Sequence, residues 1–142
     1  MRRGVTLLEL ALVLAIMGLL VGIAIPRFQR VADSLAVHNA ALELISAHRR
    51  ARFSAILQNR MVELTIRADS LAIRIPGAPG DLWHAAGPDA EGVSLTGPTT
   101  RPLVFSPVGL TVGVSNASFR LSRGSATRTV IISRLGRLRV TP

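Results

Sequence analysis

Residues 5–25 read VTLLELALVLAIMGLLVGIAI, an unbroken apolar run with one ionisable side chain, Glu9, near its start. About twenty apolar residues is the length a helix needs to cross a bilayer. A carboxylate placed in hydrocarbon costs roughly 2.5–3.5 kcal/mol even on lenient insertion scales, so Glu9 marks a function by default. The run exceeds the 7–15 apolar residues usual in a cleaved secretory signal. It meets Pro26, Arg27 and Phe28 where a small-residue cleavage site would stand. Arg2 and Arg3 ahead of it favour a cytoplasmic N-terminus and a body on the far side, with Arg27 and Arg30 pulling weakly the other way.

The next stretch, Phe28 to Leu57, has neither Gly nor Pro, and Phe28, Val31, Leu35, Leu42, Ile45, Phe53 and Ile56 recur at helical spacing. The spacing predicts one helix from Val5 to Leu57, about 80 Å long at 1.5 Å per residue. Pro26 should kink it by removing a backbone donor. The apolar stripe outside the bilayer needs cover, and the small domain that follows is the expected partner. His38 reads as a partly buried helix residue with a local hydrogen bond. The run His48-Arg49-Arg50-Ala51-Arg52 reads as a solvated face near the helix end, with binding of an anionic partner as the alternative.

After Gln58-Asn59 the period changes to alternation. Val62, Leu64 and Ile66, a turn at Ala68-Asp69-Ser70, then Leu71, Ile73 and Ile75 predict a β-hairpin. Residues 76–102, rich in Gly, Pro, Asp and Ala, read as a long loop with at most one strand, near Val93-Ser94-Leu95, and with Trp83 packed on the body. Strand patterns follow at Leu103-Val104-Phe105, Leu110-Thr111-Val112, Ser118-Phe119-Arg120-Leu121, Val130-Ile131-Ile132, and Leu138 with Val140. Six to eight short strands beside one helix give an α+β fold, a long N-terminal helix on antiparallel sheet.

The 142-residue chain leaves room for one modest domain besides the membrane segment. Its net charge is +9, with every basic residue an Arg, which suits either an ordinary basic surface or a partner carrying phosphates or carboxylates. With no Cys there are no disulfides, thiolate metal sites or Cys nucleophile. The chain carries no G-x-S-x-G, H-E-x-x-H or Gly-rich phosphate loop, and Asp81, Asp89 and Glu91 read as solvated loop carboxylates. The reading is therefore a non-enzyme without metal or cofactor.

Gly4-Val5-Thr6-Leu7-Leu8-Glu9 resembles the class III signal of type IV pilins and type II secretion pseudopilins. The resemblance implies that prepilin peptidase cuts between Gly4 and Val5, that the new Val5 amine is methylated, and that Glu9, fifth in the mature chain, draws a subunit into register during assembly. Val5 stands where the family usually has Phe. Pro26 falls where many members carry a kinking proline. The later strings ARFSAILQNRMVEL, VFSPVGL and RTVIISRLGRLRV resemble the GspH/FimT branch. The implied organisation is a leader (1–4), a transmembrane helix (5–26), a periplasmic amphipathic helix (27–58) and a GspH/FimT-like β-rich domain (59–142). The implied place is the bacterial inner membrane, single-pass, with extraction into a filament of other pilins or pseudopilins. The function expected first is a minor pseudopilin of type II secretion. The alternative is a FimT-like minor pilin that binds DNA, since Gly136-Arg137-Leu138-Arg139 resembles the G-R-x-R ending of such proteins and Arg134, with Arg120, Arg123 and Arg128, lies just before it. An edge strand protected by Arg accounts for the same string.

Overall fold

The computed structural model describes residues 6–113 and 116–142; Gly4 and Val5 lie outside the described residues. One helix, α1 (Leu7–Leu57), precedes nine strands: β1 (Val62–Ile66), β2 (Ser70–Arg74), β3 (Trp83–Ala86), β4 (Ser94–Thr96), β5 (Leu103–Phe105), β6 (Thr111–Val112), β7 (Ala117–Arg123), β8 (Ala126–Ile132) and β9 (Leu138–Thr141). The helix runs through Pro26 without interruption. The chain divides into two compact units, the first ending at Ala32 and the second comprising Asp33–Pro142.

Within the second unit the strands form two antiparallel sheets, ordered β3-β2-β1-β5-β6 and β4-β7-β8-β9. The predicted hairpin is β1–β2, with Leu64 opposite Ile73 and Ile66 opposite Leu71. Because side chains alternate along a strand, Val62, Leu64 and Ile66 all enter the core while Glu63 and Thr65 stay partly open. Phe105 of the first sheet and Phe119, Leu121, Val130 and Ile132 of the second join Val37 and Leu44 of α1 in one buried cluster.

The covered face of α1 is not the predicted stripe. Its buried residues are Ala36, Val37, Ala40, Ala41, Leu44, Ala47, His48, Ala51 and Ala55. Phe28, Val31, Leu35, Leu42, Phe53 and Ile56 are exposed, at 75%, 63%, 59%, 50%, 62% and 44%. At 100° per residue the two sets centre roughly 160° apart around the axis. The physical reason is room: six of the nine buried positions are Ala, which lets the helix approach the sheets closely while Phe, Leu and Ile from the strands fill the space. The short α1 side chains are thus matched to long strand side chains, and the long α1 side chains are left outside. His48 is likewise buried, contrary to a solvated His48–Arg52 face.

The 76–102 segment also holds more structure than its composition suggests. Besides β4 it contains β3, whose Trp83 pairs with Ile73, and a 3-10 helix at Pro88–Glu91. The segment is pinned by backbone: Gly87 N–H donates to Asp69 O at 2.8 Å and Asp89 N–H to Ala68 O at 2.9 Å. A Cβ at Gly87 would collide with the Ala68 carbonyl oxygen, so only Gly admits this approach. Trp83 is half-buried against the core, and the Arg50 guanidinium lies 5.1 Å from its ring centre. On the other sheet, Arg123 Nε of β7 meets Asp33 Oδ1 of α1 at 3.1 Å.

Candidate functional site

Leu7, Leu8, Leu10 and their large apolar successors to Ile25 are exposed. An 18-residue window of α1 has mean hydropathy 2.7 and none of it is buried, so length and composition suit a membrane crossing. Glu9 sits in the first turn of this helix. The Glu9 N–H donates to Thr6 Oγ1 at 3.2 Å, which makes Thr6 an N-cap satisfying one of the orphan donors of the first turn. Thr6-x-x-Glu9 has capping-box spacing, a sequence signal that overlaps the assembly motif. A carboxylate at this position also suits the positive end of the helix. The bond to Thr6 uses the Glu9 backbone N–H, and the Glu9 side chain stays exposed.

Farther along α1 the outer face forms a groove lined by Leu42, Ile45, Ser46, Arg49, Arg50 and Phe53. It is an apolar strip bordered by arginine. Next to it, sharing Arg49, lies a cleft of about 340 Å³ lined by His48, Arg49 and Arg52 of α1 and by Gly136, Arg137 and Leu138. Gly136 and Arg137 belong to the β8–β9 turn, which is tightly built, and Leu138 opens β9. Gly136 N–H and the Arg137 carbonyl close it on Ser133, each at 2.9 Å, and Ser133 Oγ accepts from the Arg137 N–H at 3.1 Å. Gly136 takes φ +72°, the left-handed conformation that favours Gly. The turn thus aims the chain so that Arg137 comes to α1, a long-range pairing no local sequence pattern announces.

His48 forms part of the cleft wall. It is 2% exposed, and neither ring nitrogen has a hydrogen-bond partner among the described residues. Its ring meets Phe105 edge-on, centroids 5.0 Å apart. Burial, then the charges of Arg52 and Arg49, lower its pKa to about 4, so the ring is neutral at physiological pH. An unpaired buried polar group costs about 1–3 kcal/mol.

The sequence-predicted arginines separate. Arg137 lines the cleft and is exposed. Arg134 is exposed while its carbonyl accepts from Thr111 Oγ1 at 2.5 Å. Arg139 is exposed on β9, an edge strand, opposite Ile131. The ion pairs among the described residues are Arg74–Asp81 and Arg123–Asp33, so none of these three, nor Arg49 or Arg52, has a carboxylate partner there. No group of His, Asp or Glu among the described residues could hold a metal ion.

Comparisons with known proteins accord with this architecture. The model of the family described as "Type II transport protein GspH" matches residues 40–136. The chain is 34% identical over 155 residues to "Pilin-like protein PilA1" of Thermus thermophilus, spanning 98% of both proteins. Its fold is similar to that of the type IV minor pilin FimU of Pseudomonas aeruginosa, with TM-score 0.63 and 22% identity over 75% of this chain and 88% of that one. It is also similar to the minor pseudopilin EpsH from the type 2 secretion system of Vibrio cholerae, with TM-score 0.57 and 16% identity over 74% and 95% of the two chains.

Proposed function

This chain belongs to the GspH/FimT-type minor pilins and pseudopilins, and from that premise we propose that it is a membrane-anchored minor subunit built into a filament through α1. The observation that carries the reading is the outer face of α1, where Leu35, Leu42 and Phe53 are 59%, 50% and 62% exposed beyond the apolar anchor. A soluble surface rarely leaves such a series open unless something else covers it. Lipid suits the N-terminal part, and helices of other pilins suit the rest.

On this reading prepilin peptidase removes residues 1–4, cutting between Gly4 and Val5, and the Val5 amine is methylated. Glu9 then pairs with such an amine during assembly, at the end of the helix that Thr6 caps. Pro26 bends the helix at the membrane boundary. The N-terminus lies in the cytoplasm and the body in the periplasm. Such a subunit organises a filament; its role in it is structural, with no reaction of its own.

Between the two machines that use such subunits we favour a type IV pilus-type filament. What supports this is the relative matched along nearly its whole length, which is named pilin-like. The type II secretion pseudopilus is the second reading, supported by the description of the matched family. DNA uptake is a variant of the pilus reading, using exposed Arg137 and Arg139 with Arg134 nearby in sequence; what supports it is their lack of carboxylate partners and the +9 charge.

The test is recovery of the full chain in sheared filaments. Glu9→Ala should leave the protein in the membrane and remove it from the filaments; equal recovery of the variant would overturn the assembly reading. Deleting the gene should remove surface pili if the first machine is right, and secreted proteins with pili intact if the second is. For DNA, binding of mixed-sequence duplex across a salt series should fall steeply with salt and be lost in Arg137→Ala/Arg139→Ala; binding that is absent or indifferent to the change would remove the uptake variant.

A further inference from the structure

Three arginines, Arg49, Arg52 and Arg137, line the cleft between α1 and the β8–β9 turn, beside His48. Like charges brought together repel unless an anion joins them. The body's own carboxylates do not: the ion pairs among the described residues lie elsewhere, at Arg74–Asp81 and Arg123–Asp33. His48, in the wall, is buried with neither ring nitrogen partnered among the described residues, so its ring lies beside the cleft and reports on it without donating into it.

We propose that this cleft receives a carboxylate side chain from a neighbouring pilin subunit of a different kind, one whose helix lies along the outer face of α1. The inference rests on the filament reading above and deepens it, naming what fixes the position of that neighbour.

Three features select this occupant. Arg49 lines both the cleft and the apolar groove of Leu42, Ile45 and Phe53, so a helix covering the groove has the cleft at its edge. Guanidinium groups match carboxylates in a planar, two-pronged geometry. A nucleic-acid backbone would fill the cleft but leave the groove uncovered, and the basic cluster offers no aromatic platform for bases. The +9 charge disfavours a second copy of this chain as the neighbour, because two such bodies repel.

The consequence is registry. Apolar helix faces slide past one another with little penalty, whereas a charge that must meet a single cleft fixes both the partner and its axial position. The outer stripe would supply affinity and the cleft would choose the neighbour.

The test uses the full chain in cells, with the amount in sheared filaments measured against the amount in the membrane. Arg52→Gln/Arg137→Gln should lower incorporation at least tenfold at unchanged membrane level, while Arg60→Gln, which removes an exposed charge outside the cleft, should incorporate as the unaltered chain does. Leu42→Ser/Phe53→Ser tests the premise. If it abolishes incorporation while the cleft variant incorporates normally, the carboxylate site is wrong and the filament reading stands. If neither affects incorporation, the filament reading fails and takes the inference with it.

A second measurement follows the His48 ring resonances of the purified full chain in detergent. Acetate should shift them in the unaltered protein and not in Arg52→Gln/Arg137→Gln; no shift with acetate would overturn the proposal. A shift with duplex DNA, lost in the same variant while filament incorporation is unaffected, would make the cleft a nucleic-acid site instead. Self-association of the purified chain in analytical ultracentrifugation, lost in that variant, would put a second copy in the neighbour's place and overturn the choice of partner.

Discussion

The two faces of α1 beyond Ala32 are made of opposite materials. The face against the sheets is alanine with Val37, Leu44 and His48, all 9% exposed or less; the face away from them carries Leu35, Leu42, Phe53 and Ile56, each at least 44% exposed. A helix of an isolated globular protein puts its large apolar residues inward and small or polar ones outward. The inversion indicates that α1 has two partners, one close and supplied by its own body, one not supplied by the chain. Substitutions on the two faces should therefore separate folding from assembly.

The largest effect on folding belongs to the inner face. Leu44 is fully buried, and Leu44→Ala should destabilise by about 2–5 kcal/mol, because the neighbouring alanines have no side chain with which to fill the space. Thermal unfolding of the full chain in detergent reads this directly; a loss below about 1 kcal/mol would mean the inner face is not the folding face.

His48 is the exception on that face and should make stability depend on pH. Its pKa is lowered to about 4 from 6.5, so the folded state holds the neutral ring while the unfolded chain binds a proton more readily. Stability should then fall as pH drops through about 6.5, and the loss should level off below about 4, amounting to about 3 kcal/mol. Burial is the larger cause, and the charges of Arg52 and Arg49 on the helix act in the same direction. In His48→Leu this part of the acid dependence should disappear and stability at pH 7 should rise, since two unsatisfied nitrogens are gone.

A smaller loss, about 1–3 kcal/mol, is expected for Ala51→Leu. Ala51 is fully buried, and the added bulk would push the helix from the sheets. An unchanged melting temperature would show that the approach is not close and that the small residues have some other cause.

How much of this was legible in the sequence depends on which signal carried it. The anchor, the β1–β2 hairpin and the strands from Leu103 onward follow from local periodicity and composition, and the α+β class with them. The outer stripe was equally legible as a stripe, but its direction was not. Large apolar residues mark a face to be covered without saying by what, and alanine is too weakly apolar for Ala36, Ala40, Ala47 and Ala51 to stand out as the competing face. The pinned Gly87 segment was hidden because its cause is a backbone approach from Ala68 and Asp69, far away in sequence. Of the candidate site, Glu9 and the arginine-rich ending could be named from motifs. The meeting of Arg137 with His48 and Arg52 could not, since it depends on how a turn near the C-terminus packs against a helix some eighty residues earlier.

The smallest expected effect on folding sharpens the comparison most. Leu42→Ser/Phe53→Ser replaces two large apolar side chains that are already 50% and 62% exposed, so little burial is lost and stability should stay within about 0.5 kcal/mol of the unaltered chain. If these residues belonged to the core, the same pair would cost several times that. In the filament their burial against a neighbouring helix would contribute on the scale of whole side chains, so the double variant should be well folded, present in the membrane, and absent from sheared filaments. A variant that instead melts early would return the stripe to the protein's own core. One that melts normally and still assembles would leave exposed leucine and phenylalanine without a partner, and the two faces of α1 without the division of labour their compositions describe.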